Sequence, residues 1–501
     1  MASGESKMFV AAKEHVLILF LCVAAAFRVF IFLAAFPFFS NIDEDLHFDL
    51  ITHYSNAQIP RSFDRLKQDT LNWIVPYASP EFLFPPEHFT DGKIPPPLWK
   101  EPWSRVEPEI ASTRAAWSSE INFQSSQPPL YYALATSWWW IGRHFGLAGL
   151  QSLYWIRFLN VPLIAMMVWL GYVTARTIAP GRMELCVGVP LLLAFIPQNV
   201  FYAINNDVLS PLCFGTLFLC VLQWLRTNSP SFFLGALTGV AIAATCLTKL
   251  SNLPFVAVAL AVIVARSITI ILRTPRAGLI ALTAVISCAV IPIGTWMLRT
   301  KFHFGDLTGS TAKIGLLGWT RKPFSDWWQH PIFTPHGVWT FWSDLIASFW
   351  RGEVSWHGQP LRWRGADAFY AVSSFLFLAV AIAGLREQTG LSAFQRQAIG
   401  SAILIFLAGV AFLALLSIQF DFGNCINPSR EHPYFTSGRL LSGALIPFAV
   451  VYVYGASWIC RRSNNTALPL IVLVLIVAFV TTSEILVNRV VFVSEHNWFH
   501  L

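Results

Sequence analysis

The amino-acid sequence predicts an all-α polytopic membrane protein, and three observations carry that prediction. Of 501 residues, 55% are hydrophobic and 12% charged, about half of the roughly 25% charged share of a soluble domain. Apolar runs of about 18 residues or more, each able to cross roughly 30 Å of hydrocarbon, recur from residue 15 to residue 493. Lipid offers a backbone no hydrogen-bond partner, so each run must be helical. The third observation is where the cations sit. Lys and Arg gather in short segments between the runs, the positive-inside pattern, so the formal charge of +7 calls for no nucleic-acid partner.

The first run, "HVLILFLCVAAAFRVFIFLAAFPFF", is too long for a signal peptide and lacks a small-residue cleavage site. It predicts a retained helix over 15–38. Further spans are expected at 156–176, 183–203, 208–226, 231–248, 253–273, 277–298, 366–385, 397–419, 440–459 and 467–489, eleven in all. Segment 128–142, "PPLYYALATSWWWIG", is apolar enough to cross but short. If it does not cross, Lys7, Lys13, Arg176, Arg182, Arg226, Arg266, Arg273, Arg276, Arg386, Arg396, Arg461 and Arg462 all fall on one side. That side is then the cytoplasm. If it crosses, the later clusters move outside, so an interfacial or re-entrant helix is the better reading.

This arrangement divides the chain into a first helix (1–38), a large acidic outer loop (39–155), a transmembrane core (156–298), a Trp-rich outer loop (299–365) and the C-terminal spans (366–501). Unstructured loops of such length are uncommon, so both are expected to carry short helices lying on the membrane. Six of eight cysteines (Cys22, Cys186, Cys213, Cys220, Cys246, Cys288) lie in apolar runs, with Cys425 in a polar loop and Cys460 ending a run. No CxxC spacing occurs, so neither a zinc site nor a disulfide framework is indicated. The sequon Asn464-Asn465-Thr466 follows Arg461-Arg462 on the cytoplasmic side and is given no role.

The polar residues collect at the other ends of the spans. In "NIDEDLHFDL", residues 41–50, Asp43 and His47 are four apart and share a helical face, with Glu44 beside them. A carboxylate next to lipid gains proton affinity, which suits a general base. The plainer alternative is that Asp43 or Asp45 caps a helix beginning at Leu46. "SQPPLYYAL" fits a helix start with tyrosines for the headgroup layer. Arg157 sits at an outer helix end, where it binds an anion or snorkels. Asn206 and Asp207 stand where two helices meet, Asp207 as ligand or N-cap. Lys249 and Arg439 both oppose the charge rule, and a guanidinium suits phosphate geometry. His303 with Asp306 in "KFHFGDLTGS" forms either a polar site or just a turn. His432 and Tyr434 precede Arg439 at the start of the 440–459 span.

Taken together, "DEDLHF", then "QPPLYYAL", then an Arg opening the next helix, resemble the GT-C glycosyltransferases, among them protein O-mannosyltransferases and the aminoarabinose transferases of lipid A. The Asp-Glu-x-x-His spacing with a late Gly-Arg element is similar to that of uncharacterised bacterial membrane proteins grouped with that class. The resemblance implies a GT-C-type fold and an inverting transferase that moves a sugar from a polyprenyl-phosphate donor to a glycan, lipid or protein acceptor. The implied location is the bacterial inner (plasma) membrane, with the site facing the periplasm or exterior. It implies Asp43 as catalytic base with Glu44 assisting. His47, Gln127, Arg157, Asp207, Lys249, His303, Tyr434 and Arg439 would contact substrate. The family's His-Pro-Pro is Gln127-Pro128-Pro129 here, and its Gly-Arg-Tyr-Leu is Gly438-Arg439-Leu440-Leu441, so one His and one Tyr are lost. No cofactor is fixed by these motifs, and a divalent metal ion is compatible with them. Trp327, Trp328, Trp342 and Trp350 either stack on sugar faces or belong to an interfacial belt. Two other classes use similar residues: a transporter or flippase of lipid-linked sugars, which needs no base, and a non-catalytic envelope-assembly protein of the same fold.

Overall fold

The computed structural model describes residues 2–387, 390–425, 427–461, 465 and 467–500, without the side chains of 2–12 and 103. Arg462 and the sequon residues Asn464 and Thr466 lie outside the described residues, as does the side chain of Lys7.

After α1 (Ala2–Ala35), the first long loop folds into α2 (Glu44–Ser55), α3 (Gln68–Tyr77) and α4 (Trp103–Trp117). A hairpin of α5 (Leu130–His144) and α6 (Gly149–Phe158) follows, and α6 runs on into α7 (Asn160–Ile178). Next come α8 (Met183–Phe195), α9 (Ser210–Arg226), α10 (Phe232–Thr248), α11 (Leu253–Ile271) and α12 (Pro275–Phe304). The second long loop carries α13 (Ser310–Leu316) and α14 (Pro335–Arg351). The chain closes with α15 (Arg364–Arg386), α16 (Ala393–Gln419), α17 (Leu445–Cys460) and α18 (Leu468–Phe492). Sheet among the described residues is limited to two antiparallel ladders of two-residue strands.

Nine helical segments among the described residues are long and apolar enough to cross a membrane, and α8 and α10 are shorter apolar helices. These coincide with the eleven expected spans, so the fold is an all-α polytopic membrane protein. Phe20, Val23 and Phe27 of α1, Ile291 and Leu298 of α12 and Leu475 of α18 face outward, as lipid-contacting surface must. The segment containing α17 is almost wholly buried. Around it Trp350 stacks flat on Tyr370, centroids 5.0 Å apart, with Phe448 and Tyr452 edge-on.

Two boundaries differ from expectation for identifiable reasons. Helix α8 stops at Phe195 rather than 203, because Pro197 disfavours helical backbone at Ile196, which is extended. The Ile196 carbonyl so released accepts from Arg28 Nη2 at 2.9 Å. Helix α12 continues to Phe304 and ends at Gly305 in the left-handed region (φ 91°), the usual helix stop. Both long loops contain helices, as expected of segments of that length.

Segment 128–142 becomes α5, one half of the hairpin. Trp138 and Trp155 lie parallel, centroids 4.6 Å apart, and each indole N–H donates to the other residue's carbonyl at 2.7 Å. The hairpin leaves from Gln127 and returns at Arg157, at the same end of the bundle. Among the described residues α5 belongs neither to the nine long apolar helices nor to the two shorter ones.

Candidate active site

The polar site forms where the first loop meets the starts of α9, α11 and α17. Asp43 directly precedes α2 with left-handed backbone (φ 64°) and makes no side-chain cap. Asp tolerates that conformation better than most residues. The helix thus begins two residues earlier than the capping alternative required, and the carboxylate is turned elsewhere. Its Oδ2 accepts from Arg439 Nη2 at 2.7 Å and Gln124 Nε2 at 3.1 Å. Arg439 Nη1 donates to the Ile42 carbonyl at 3.0 Å, and its Nε lies 3.6 Å from Glu353. One guanidinium therefore holds both the backbone before Asp43 and its carboxylate.

His47 packs one turn on, its backbone N–H bonded to the Asp43 carbonyl. Its Nδ1 pairs with the Tyr132 hydroxyl at 2.7 Å, while buried Nε2 has no protein partner. Across the site, Lys249 Nζ donates to Asp207 Oδ1 at 2.6 Å. Asp207 Oδ2 and Asn206 Oδ1 are buried without partners. Gln127 Oε1 accepts from Asn206 at 3.3 Å, and its amide donates to Gln124 Oε1 at 2.8 Å. Lys313 of α13 donates to that same oxygen at 3.0 Å. Three cations, Arg439, Lys249 and Lys313, thus converge with Asp43 and Asp207. Among the described residues no three His, Cys, Asp or Glu side chains group as a metal site.

The electrostatics follow from this crowding. Burial alone would raise the Asp43 carboxyl, but the charge and hydrogen bond of Arg439, with Lys313 beyond, override it and hold it below its ordinary value. Burial, joined by Lys249, Arg439 and Lys313 and opposed by Asp43, keeps His47 well below its ordinary value, hence neutral. Burial also lowers Lys249, against the pull of Asp207. Lys313 is lowered to about 8 by burial, with Lys249 and Arg439 adding to the effect and Asp43 opposing it. Asp45 is pushed up to about 7 by burial and by Asp43. It lies one turn from Asp49, which is turned to Thr70 and Asn122 rather than the cluster.

Several expected site residues lie elsewhere. Glu44 is wholly buried and meets Arg157 in a two-point ion pair, with both contacts at 2.6 Å. Glu44 also accepts the backbone N–H groups of Ile204 and Ser40. Arg157 spends its remaining donors on the Phe36 and Pro37 carbonyls at the end of α1 and lies 3.7 Å over the Phe38 ring. With zero exposure on both side chains, neither opens onto the cluster around Asp43. They lock the first loop to α1. His303 is exposed on the last turn of α12. Its companion Asp306 caps α13, accepting from Thr308, Ser310 and Thr311, so the turn alternative holds there. Tyr434 is buried between the rings of His330 and His432. Trp350 is core, and Trp342 donates to the Ala371 carbonyl; Trp328 is exposed. A cleft of about 470 Å³ beside Trp356, Trp363 and Arg489 lies apart from the cluster. Lys313, Gln124 and Glu353 were not anticipated. A lone lysine between Gly309 and Gly315 in an otherwise uncharged stretch was the available signal for the first.

No curated protein matches the chain. Among solved structures, it is similar to the oligosaccharyltransferase AglB of Archaeoglobus fulgidus in complex with an inhibitory peptide and a dolichol-phosphate. The two are 12% identical, with a TM-score of 0.44, over 95% of this chain and 56% of that one. The Archaeoglobus fulgidus oligosaccharyltransferase in complex with Zn and sulfate is also 12% identical, with a TM-score of 0.44, over 94% of this chain and 53% of that one. The chain thus spans about half the length of the structures it resembles. A family model described as "Predicted membrane protein (DUF2142)" matches residues 26–425, most of the chain and all of the first long loop, and the chain belongs to that family.

Proposed function

We propose that the protein is a GT-C-type inverting glycosyltransferase that takes its sugar from a polyprenyl phosphate, at the end of the bundle carrying Asp43. One observation supports this reading above the others: the acid of the Asp-Glu-x-x-His element and the arginine of the Gly-Arg element, 396 positions apart, are in contact at 2.7 Å. A transferase of this class needs a proton acceptor for the attacking hydroxyl and cations for the departing phosphate, side by side.

In the reaction, the acceptor oxygen attacks the anomeric carbon from the face opposite the phosphate. Its O–H proton passes to Asp43 Oδ, the C–O bond to phosphate breaks, and the electron pair leaves on the lipid phosphate. That leaving group is already a stable anion, so the cations mainly orient and neutralise it. Arg439 stands between the two halves of the task. As long as it holds Asp43, the carboxylate is a weak base. When a phosphate takes the guanidinium, burial is left to raise Asp43's proton affinity. Donor binding and base activation are then one event. A divalent ion has no assigned role in these steps.

The buried Arg28–Glu484 pair, at 2.6 Å within the spans, is the kind of feature that marks a transport path. Here it is closed off by Tyr202 and the Ile196 carbonyl, which favours a structural tie over a flippase. The deciding experiment follows labelled sugar from a polyprenyl-phosphate donor in proteoliposomes. A transferase cleaves the donor, whereas a flippase moves it intact and an assembly protein does neither. Asp43→Asn should lower turnover at least a hundredfold with donor binding kept, since general bases contribute about 10²–10⁴. Retention within about tenfold would remove Asp43 as the base.

A further inference from the structure

We infer that Lys313 of α13 is the ammonium that first receives the donor's phosphate, a step that rests on the lipid-phosphate reading above. Three cations line the site, but two are already engaged by carboxylates. Arg439 holds Asp43 at 2.7 Å, and Lys249 holds Asp207 at 2.6 Å. Lys313 has no carboxylate partner among the described residues. Its one hydrogen bond goes to the neutral Gln124 amide at 3.0 Å, and its ammonium lies 5.2 Å from the Phe123 ring. An arriving anion must displace an ion pair to reach Arg439 or Lys249, and displaces only an amide to reach Lys313.

The surroundings fit a waiting cation. Lys313 shares the site with Asp43 and His47 of the first loop, Lys249 after α10 and Arg439 before α17. His47 is neutral, and the carboxylates Asp43 and Asp207 are each already bound to one of the other two cations. Asp306 lies on the same loop, but its oxygens are taken up by Thr308, Ser310 and Thr311. Gln124 bridges Lys313 to Asp43, so engagement of one is felt by the other. Helix α13 itself is short and enters through Gly309 at φ 69°.

Burial, with Lys249 and Arg439 adding to it and Asp43 opposing it, is why the ammonium sits near 8 rather than at its ordinary value. An anion raises it again, so binding takes up a proton wherever the free site has lost one. The sign is definite. Affinity is full below pH 8 and falls as pH rises through 8, by about tenfold between pH 7 and pH 9 if only Lys313 titrates.

The test is binding of a polyprenyl phosphate in phosphatidylcholine nanodiscs to the intact protein at pH 7 and pH 9, with inorganic phosphate as a parallel arm. Lys313→Met should weaken lipid-phosphate binding at least tenfold at pH 7. Lys313→Arg should bind within about threefold of wild type and show a flatter pH dependence, since arginine stays charged. Titration in buffers of different ionisation enthalpy should give proton uptake for wild type that is smaller for the arginine variant by up to one proton. Monodisperse elution of each variant checks folding. Equal binding by wild type and Lys313→Met overturns the inference while leaving the transferase reading intact. A wild type that binds no polyprenyl phosphate overturns both. Inorganic phosphate bound as tightly as the lipid, and lost with Lys313→Met, supports the anion site but assigns it to free phosphate.

Discussion

Glu44 and Asp43 are adjacent in sequence and opposite in use. Glu44 is sealed against Arg157 with no exposure on either side chain, whereas the Asp43–Arg439 pair keeps nearly a fifth of each side chain open. Breaking a fully buried pair strands a charge, at about 3–5 kcal/mol. Glu44→Gln should therefore lower thermal stability sharply in detergent. A variant that melts at the wild-type temperature yet has lost transfer would return Glu44 to the chemistry. At Arg439 the expectation reverses. Arg439→Lys keeps the charge but cannot hold both the Ile42 carbonyl and Asp43 in one planar fork. Apparent donor affinity should drop markedly at saturating acceptor, further for Arg439→Ala, with the fold retained. Equal donor affinity in wild type and Arg439→Lys would reduce the residue to a helix anchor. Asp43, His47, Lys249, Arg439, Asp207 and Gln127 were visible in the sequence because each sits in a short motif or breaks the charge rule. Lys313 and Glu353 were not, because the approach of Lys313 to Asp43 and of Glu353 to Arg439 depends on how a long loop returns.

At the scale of elements, the spans were legible because lipid leaves an apolar run only one conformation. Their packing was not, since it depends on which small residues face each other. Helices α10 and α12 show this. A Cβ at Gly235 would lie 2.2 Å from the Ala281 carbonyl oxygen, and one at Gly239 2.5 Å from that of Val285. The two glycines are four apart on one face, the close-approach spacing of membrane helices. Because backbone stands on the other side, the helices must separate to accept a side chain. Gly235→Ala and Gly239→Ala should each destabilise the protein, by about 1–3 kcal/mol as for other overpacked sites. Gly294 in α12 meets nothing within 4 Å, so Gly294→Ala should be neutral or stabilising by up to about 1 kcal/mol. Melting curves of the three variants in one detergent make the comparison. Similar losses at all three would mean that packing between α10 and α12 is not what the glycines serve.

For the whole molecule, the consequential question is which side of the membrane Asp43 faces. Alternation along the bundle places the loops after α7, α9, α11, α15 and α17 at the end opposite Asp43. Arg176, Arg182, Arg226, Arg266, Arg273, Arg276, Arg386, Arg396 and Arg461 lie in or beside those loops. The positive-inside rule makes that end the cytoplasmic one, which would turn the site outward, as the proposed lipid-linked donor requires. The inference hinges on α5, because a crossing there would invert every later loop relative to the first. The hairpin contact of Trp138 with Trp155 argues against one, and the 15 residues of α5 reach only about 22 Å at 1.5 Å per residue. Two engineered cysteines decide it. His144 is exposed at the tip of the hairpin, and Ser229 is exposed in the loop between α9 and α10. In a Cys425→Ser background, His144→Cys should react with an impermeant thiol reagent added to intact cells. Ser229→Cys should react only after the membrane is opened. The reverse pattern would mean either that the whole bundle is inverted, with the site in the cytoplasm and no need for a lipid carrier, or that α5 crosses. Because the α6–α7 segment, α8 and α9 lie between the two positions, labelling of both from the same side would break the alternation of the spans itself.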